Sequence, residues 1–109
     1  MTDTPISLSR ALAAFSDVYS PRIVGRVNDY DIRIAHASGE HVWHVHEDTD
    51  EFFLVLEGRL LIDLEGRETV TLEPHQAYTV PRSVMHRTRA PVRTAIVMVE
   101  AAGVSPTGD

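Results

Sequence analysis

The chain contains no cysteine, and all ten of its basic residues are arginine, none lysine. Without cysteine there is no disulfide, no thiolate nucleophile and no thiolate metal ligand. Without lysine there is no side-chain amine to form a Schiff base, which removes that route of covalent catalysis. Basic charge is also in deficit. Ten basic against sixteen acidic residues leave a formal charge of −6, which argues against a nucleic-acid or anionic-membrane partner, since both need a basic surface. No apolar run approaches the length of a membrane span, and the N-terminus lacks a basic segment followed by a long apolar one. A cytoplasmic address is the expectation.

What is present is an ordinary globular composition, 43% hydrophobic over 109 residues. That suits one domain, residues 1–109, with one modest core. Met1 to Pro5 is short, polar and expected to be loose. From Ser7, Leu8, Ala11, Leu12 and Phe15 recur at helical spacing, predicting one amphipathic helix over about 7–17, capped by Ser7 and ending before Pro21. After Pro21 the pattern changes to short strands. These are Arg22 to Val27, Tyr30 to Ala37, His41 to His46, Glu51 to Leu56, Arg59 to Leu64, Glu68 to Leu72, Ala77 to Val80, Met85 to Arg89 and Arg93 to Val99. Asn28-Asp29 and Glu65-Gly66 make turns, Gly39 marks a break, Glu47 to Asp50 is a solvated acidic loop, and the tail from Ala101 is irregular. Eight or nine short strands after a single helix predict an all-β, antiparallel sandwich or small barrel.

The chemistry is concentrated between Gly39 and Gly58. Residues two apart on a strand share a face, so His44 and His46 point the same way, with Val42, while His41, Trp43 and Val45 point the other. Two imidazoles on one strand and the Glu51 carboxylate on the next can converge on one metal ion, and His86 supplies a third imidazole. Phe53 and Val55 share parity with Glu51 and are expected to line a cavity beside it. His75 follows Pro74 in a turn and reads as a surface residue. His36 is not assigned, and neither are the faces that Arg33, Tyr78 and Met98 present. Glu51 to Leu56 is apolar on both faces and, with Trp43 and Val45, predicts a covered outer surface, hence a homodimer.

The order Gly39, His44, His46, Glu51, Gly58 resembles the first motif of the cupin superfamily: glycine, His-x-His, glutamate, glycine. One residue fewer than usual separates Gly39 from His44. The second motif (glycine, proline, glycine, histidine, asparagine) is matched at Pro81 and His86, with His75 and Ser83 at its glycine positions and Ala90 at its asparagine. The chain most resembles the small single-domain cupins related to the barrel of mannose-6-phosphate isomerase.

The resemblance implies an antiparallel double-stranded β-helix, a jelly-roll barrel over about 22–99. It also implies a divalent metal on His44, His46, Glu51 and His86. A set of imidazoles and one carboxylate suits Fe, Mn, Ni, Zn or Cu and disfavours Ca and Mg. Two functions are open: a metal-dependent enzyme (oxygenase, isomerase or decarboxylase) acting on a small oxygenated metabolite, or a non-catalytic small-molecule binder or sensor. In an enzyme, Glu51 would serve as the base, since no other is evident.

Overall fold

A computed structural model describes residues 4–108. Met1 to Asp3, the start of the segment expected to be loose, and Asp109 lie outside the described residues. The elements are α1 (Leu8–Ala13), β1 (Arg22–Val27), β2 (Tyr30–Glu40), β3 (Glu51–Glu57), β4 (Leu60–Leu64), β5 (Val70–Leu72), β6 (Ala77–Val80) and β7 (His86–Ala101). All strand pairs are antiparallel, and the strands form a jelly-roll barrel behind one short N-terminal helix.

The last strand organises the rest. β2 pairs with β7 along nearly its whole length, from Tyr30 opposite Ala101 to Glu40 opposite Arg89. On the other side β3 pairs with the later half of β7 and β4 with the earlier half. All three paths bend at one corner. In β2 it is a bulge between Ala37 and Gly39, with Gly39 at φ +72°. Between β3 and β4 it is Gly58, at φ +93°, where a Cβ would stand 2.4 Å from Thr94 Oγ1. Only glycine tolerates that approach and that backbone angle together. Thr94 pins the corner from β7, accepting from the Arg59 amide at 3.0 Å and donating to the Arg59 carbonyl at 3.0 Å.

Two expected strands, Met85 to Arg89 and Arg93 to Val99, are therefore one. Pro91 sits at the corner, where the register passes from Ala90 opposite Gly39 to Thr94 opposite Ala37. A residue without an N–H is tolerated where the ladder is interrupted. Seven strands form among the described residues, and α1 ends at Ala13, earlier than expected. Its cap is the one anticipated, Ser7 accepting from the Arg10 amide at 3.2 Å.

The inner faces of both halves meet in a core containing Ala35, Phe53, Val55, Ile62, Ile96 and Met98. On the outer face, Leu12 of α1 packs on Ile34, Ala95 and Val97, with Leu54 and Leu56 alongside. The second apolar face of β3 is thus partly covered within the chain, with Leu54 and Leu56 packed against this cluster and half-buried. No helix among the described residues is long and apolar enough to cross a membrane.

Candidate metal centre

The segment His41 to His46 is not a strand. It runs on beyond β2 beside β7, joined to it by the His41 amide on the Thr88 carbonyl (2.9 Å) and by a single bridge between His44 and His86. In that bridge each residue donates its amide to the other's carbonyl at 2.9 Å. The Gly39 bulge shifts the register just before the segment, so strict alternation fails at its start. His44 and His46 are buried as expected, but Val42 is half exposed, and His41, expected to face away, lines the cavity described below. Trp43 faces outward, with the Arg87 guanidinium 5.1 Å from its ring.

The bridge sets two imidazoles opposite each other, with ring centroids 4.4 Å apart. His46 follows at 5.1 Å from His44 and 5.9 Å from His86. Glu51, first residue of β3, points into the same space: its Oε1 lies 3.1 Å from His86 Nε2 and 3.6 Å from His46 Nε2. One donor atom from each of His44, His46, Glu51 and His86 lies within 4.8 Å of the others, and all four residues are buried. A cluster of this kind can hold a metal ion.

Protonation suits that use. Burial pushes the His44 imidazole down to about 4 and also lowers His86, so both are neutral at pH 7 and able to donate a lone pair. Their Nδ1 hydrogens go to backbone carbonyls, His44 to Val42 at 2.9 Å and His86 to Val84 at 2.8 Å. That leaves Nε2 of each as the lone-pair nitrogen, the usual arrangement behind a metal-ligating histidine.

The loops carrying these residues are tied together. Ser83 donates its amide to the His46 carbonyl and its hydroxyl to the Glu47 carbonyl, both at 2.8 Å. Asp50 accepts from the Arg82 amide at 2.8 Å. Glu47, Asp48 and Asp50 are exposed, as expected of a solvated loop. Ser83 and His75, the residues standing at the motif's glycine positions, both adopt glycine-like backbone angles, φ +65° and +72°. The motif's turn geometry survives without its glycines.

Beside the cluster lies a cavity of about 30 Å³, room for about two waters. Its wall includes His44, Glu51, Phe53, Ile96 and Met98, with Tyr19, His41, Thr88 and Pro106. Phe53 is where its parity placed it. Val55, wholly buried, packs in the core one inward position further along β3 and is not among the lining side chains. His75 is exposed. His36 packs outside the barrel against α1, its ring 4.7 Å from Phe15 and its Nε2 within 3.0 Å of the Leu12 and Phe15 carbonyls.

Glu100 also lines the cavity, and sequence reasoning did not find it. It is 1% exposed, hydrogen-bonded to Glu51, and pushed up to about 9 by burial and then by its contact with Glu51. Arg33 sits behind it, bonded to Glu100 at 3.1 Å and to Asp31 at 3.1 Å. The signal was present: the alternation of Ile96 and Met98, carried two residues further, points Glu100 inward, opposite the row of Asp31, Arg33 and Ala35.

Comparison with known proteins agrees with this architecture. Residues 32–101 match the cupin domain family Cupin_2. Over 77 residues the chain is 46% identical to the uncharacterized protein YdbB of Bacillus subtilis (strain 168), covering 71% of this chain and 68% of that one. It is similar to the crystal structure of a cupin-2 domain containing protein from Shewanella frigidimarina, with TM-score 0.85 and 34% identity over 88% of this chain and 93% of the other. Hydroquinone 1,2-dioxygenase from Sphingomonas sp. TTNP3, with 4-hydroxybenzoate bound, shares the fold, with TM-score 0.75 and 21% identity over 88% of this chain and 72% of that one.

Proposed function

This chain belongs to the cupin superfamily, and from that premise we propose that it is a metal-dependent enzyme acting on a small oxygenated metabolite, its divalent transition metal held by His44, His46, Glu51 and His86. The observation that carries the reading is the convergence of four buried donor atoms within 4.8 Å at the wall of a small cavity. The donor set fits the group: three imidazoles, two of them pushed toward the neutral form, and one carboxylate suit Fe, Mn, Ni, Zn or Cu. The spacing of Gly39, His44, His46, Glu51 and Gly58 supports, within this reading, a kinship with the small cupins related to the mannose-6-phosphate isomerase barrel.

When bound, the metal supplies Lewis-acid polarisation of an oxygenated substrate and, if redox-active, electron transfer. The protein's own groups do the rest. Phe53, Ile96 and Met98 keep the cavity partly dry, which strengthens any charge interaction inside it. Glu51, raised by burial, is the group placed to take a substrate proton, with protonated Glu100 hydrogen-bonded beside it. A non-catalytic binder is the second reading, favoured by the size of the cavity, about 30 Å³.

Elemental analysis and a panel of hydroxy-acids, diketones and sugar phosphates, assayed with each metal under air and under nitrogen, test both readings. Removal of any one ligand (His44→Ala, His46→Ala, Glu51→Ala or His86→Ala) is expected to weaken metal retention by more than about a hundredfold, beyond the loss that follows from removing a group that only hydrogen-bonds to a ligand. His75→Ala is expected to retain metal. Binding without turnover across the panel selects the binder, and metal retained in the His86→Ala variant overturns the ligand set.

We also propose a homodimer. β1 lies at the end of the strand order and exposes Ile23 and Val27, beside Tyr30, and covering such an edge removes apolar surface and unpaired backbone groups from water. Sedimentation at micromolar concentration giving the monomer mass would count against it.

A further inference from the structure

Beyond β7 the described residues, Ala102 to Gly108, form no helix or strand, yet three of them are tied to the wall of the site. Val104 is buried, and its carbonyl accepts from Arg33 Nη1 at 3.0 Å, the nitrogen that also reaches Glu100. Pro106 lines the cavity, and its carbonyl accepts from His41 Nε2 at 3.0 Å. Gly108 lies against the ligand-bearing segment, where a Cβ would stand 3.1 Å from the Val45 carbonyl oxygen and 3.2 Å from His44 Cβ. His41 is itself held by stacking on Tyr19, centroids 4.6 Å apart and planes within 17°. The Tyr19 hydroxyl donates to the Gly39 carbonyl.

We propose that the segment from Gly103 to Gly108 is part of the binding site: a strap, latched by His41 on Pro106, that forms one wall of the cavity and sets the size of ligand admitted to His44 and Glu51. The proposal rests on reading the cluster as the ligand site. With the strap in place the cavity, about 30 Å³, admits a ligand of roughly two waters' bulk, such as a very small carboxylate. Anything larger must displace Pro106. The Arg33 tie is buried and anchors the strap near β7, while the His41 tie is half exposed and is the weaker of the two. The strap therefore opens from its Pro106 end, like other segments held by few buried contacts.

Three full-length variants test this. His41→Phe keeps a ring on Tyr19 but loses the N–H; His41→Gln restores a donor; Pro106→Gly removes the wall. In metal-stripped protein, carbethoxylation of His44 by diethyl pyrocarbonate reports access to the cavity, with exposed His75 as internal standard. His41→Phe and Pro106→Gly are expected to speed His44 modification about tenfold, the worth of one hydrogen bond, and His41→Gln to stay near the unmodified protein. In cobalt-loaded protein, formate and acetate are expected to perturb the visible spectrum of every form, and benzoate only that of His41→Phe and Pro106→Gly. Unchanged His44 modification in both opened variants overturns the strap, as does one size limit shared by all forms. Failure to take up cobalt overturns the metal reading instead, and the His44 rates then decide on the strap alone.

Discussion

The carboxyl of Glu100 is hydrogen-bonded to that of Glu51, and on its far side Arg33 Nη1 reaches Glu100 Oε2 at 3.1 Å. Two carboxyls in contact in a buried site cannot both be ionised without large cost, and here the proton belongs to Glu100, pushed up to about 9 by burial and by Glu51. Arg33 opposes that shift and neutralises Asp31 as well. The pair thus orients Glu51 from behind.

Glu100→Gln preserves a donor toward Glu51, whereas Glu100→Ala removes it and opens space. Metal retention, measured by competition with a chelator, is expected to stay near the unmodified protein in Glu100→Gln and to fall by about 10- to 100-fold in Glu100→Ala. Equal retention in both would mean that Glu100 does not position Glu51. Arg33→Met is expected to lower stability to urea by about 1–3 kcal/mol, since Glu100 and the Val104 carbonyl lose a buried donor while Asp31 keeps only its pair with Arg26.

The same groups set how stability depends on pH in metal-stripped protein. His44 is depressed from 6.5 to about 4 on folding, so its contribution is complete above 6.5 and is lost as pH falls through that window. Glu100 is shifted the other way, from 4.5 to about 9, so its contribution is complete below 4.5 and is lost as pH rises toward 9. Thermal midpoints should therefore fall toward both extremes. His44→Gln is expected to flatten the acid limb and Glu100→Gln the alkaline limb. An acid limb of unchanged slope in His44→Gln would show that the buried imidazole does not carry it.

His75 and Ser83 hold left-handed backbone angles that favour glycine. At His75 the hydrogen bond involved is made by the backbone, its amide donating to the Val55 carbonyl at 2.7 Å, and glycine keeps it. Relief of strain outweighs the added freedom of the unfolded chain, so His75→Gly is expected to stabilise by about 0.5–1 kcal/mol in urea denaturation. Ser83→Gly loses the hydroxyl bond to the Glu47 carbonyl, and its gain should cancel. Loss of stability in His75→Gly would rule out strain at that turn.

Much of the architecture and of the candidate site was legible in the residues because both follow local rules. Period-2 alternation put Phe53 on the same side as Glu51, and the His-x-His spacing put two imidazoles together whether or not a ladder formed around them. Pattern alone could not show that Pro91 falls at a corner and leaves β7 one strand, since that depends on Gly58 and Thr94 meeting across the sheet. Nor could it show that His41 turns inward, because the bulge at Gly39 resets the alternation just before it. The chain's order determined which four side chains could converge. Only the folded barrel decided that Glu100 and Arg33 stand behind Glu51 and that Pro106 lines the cavity, because those contacts join residues far apart in sequence whose meeting is set by packing, not by periodicity.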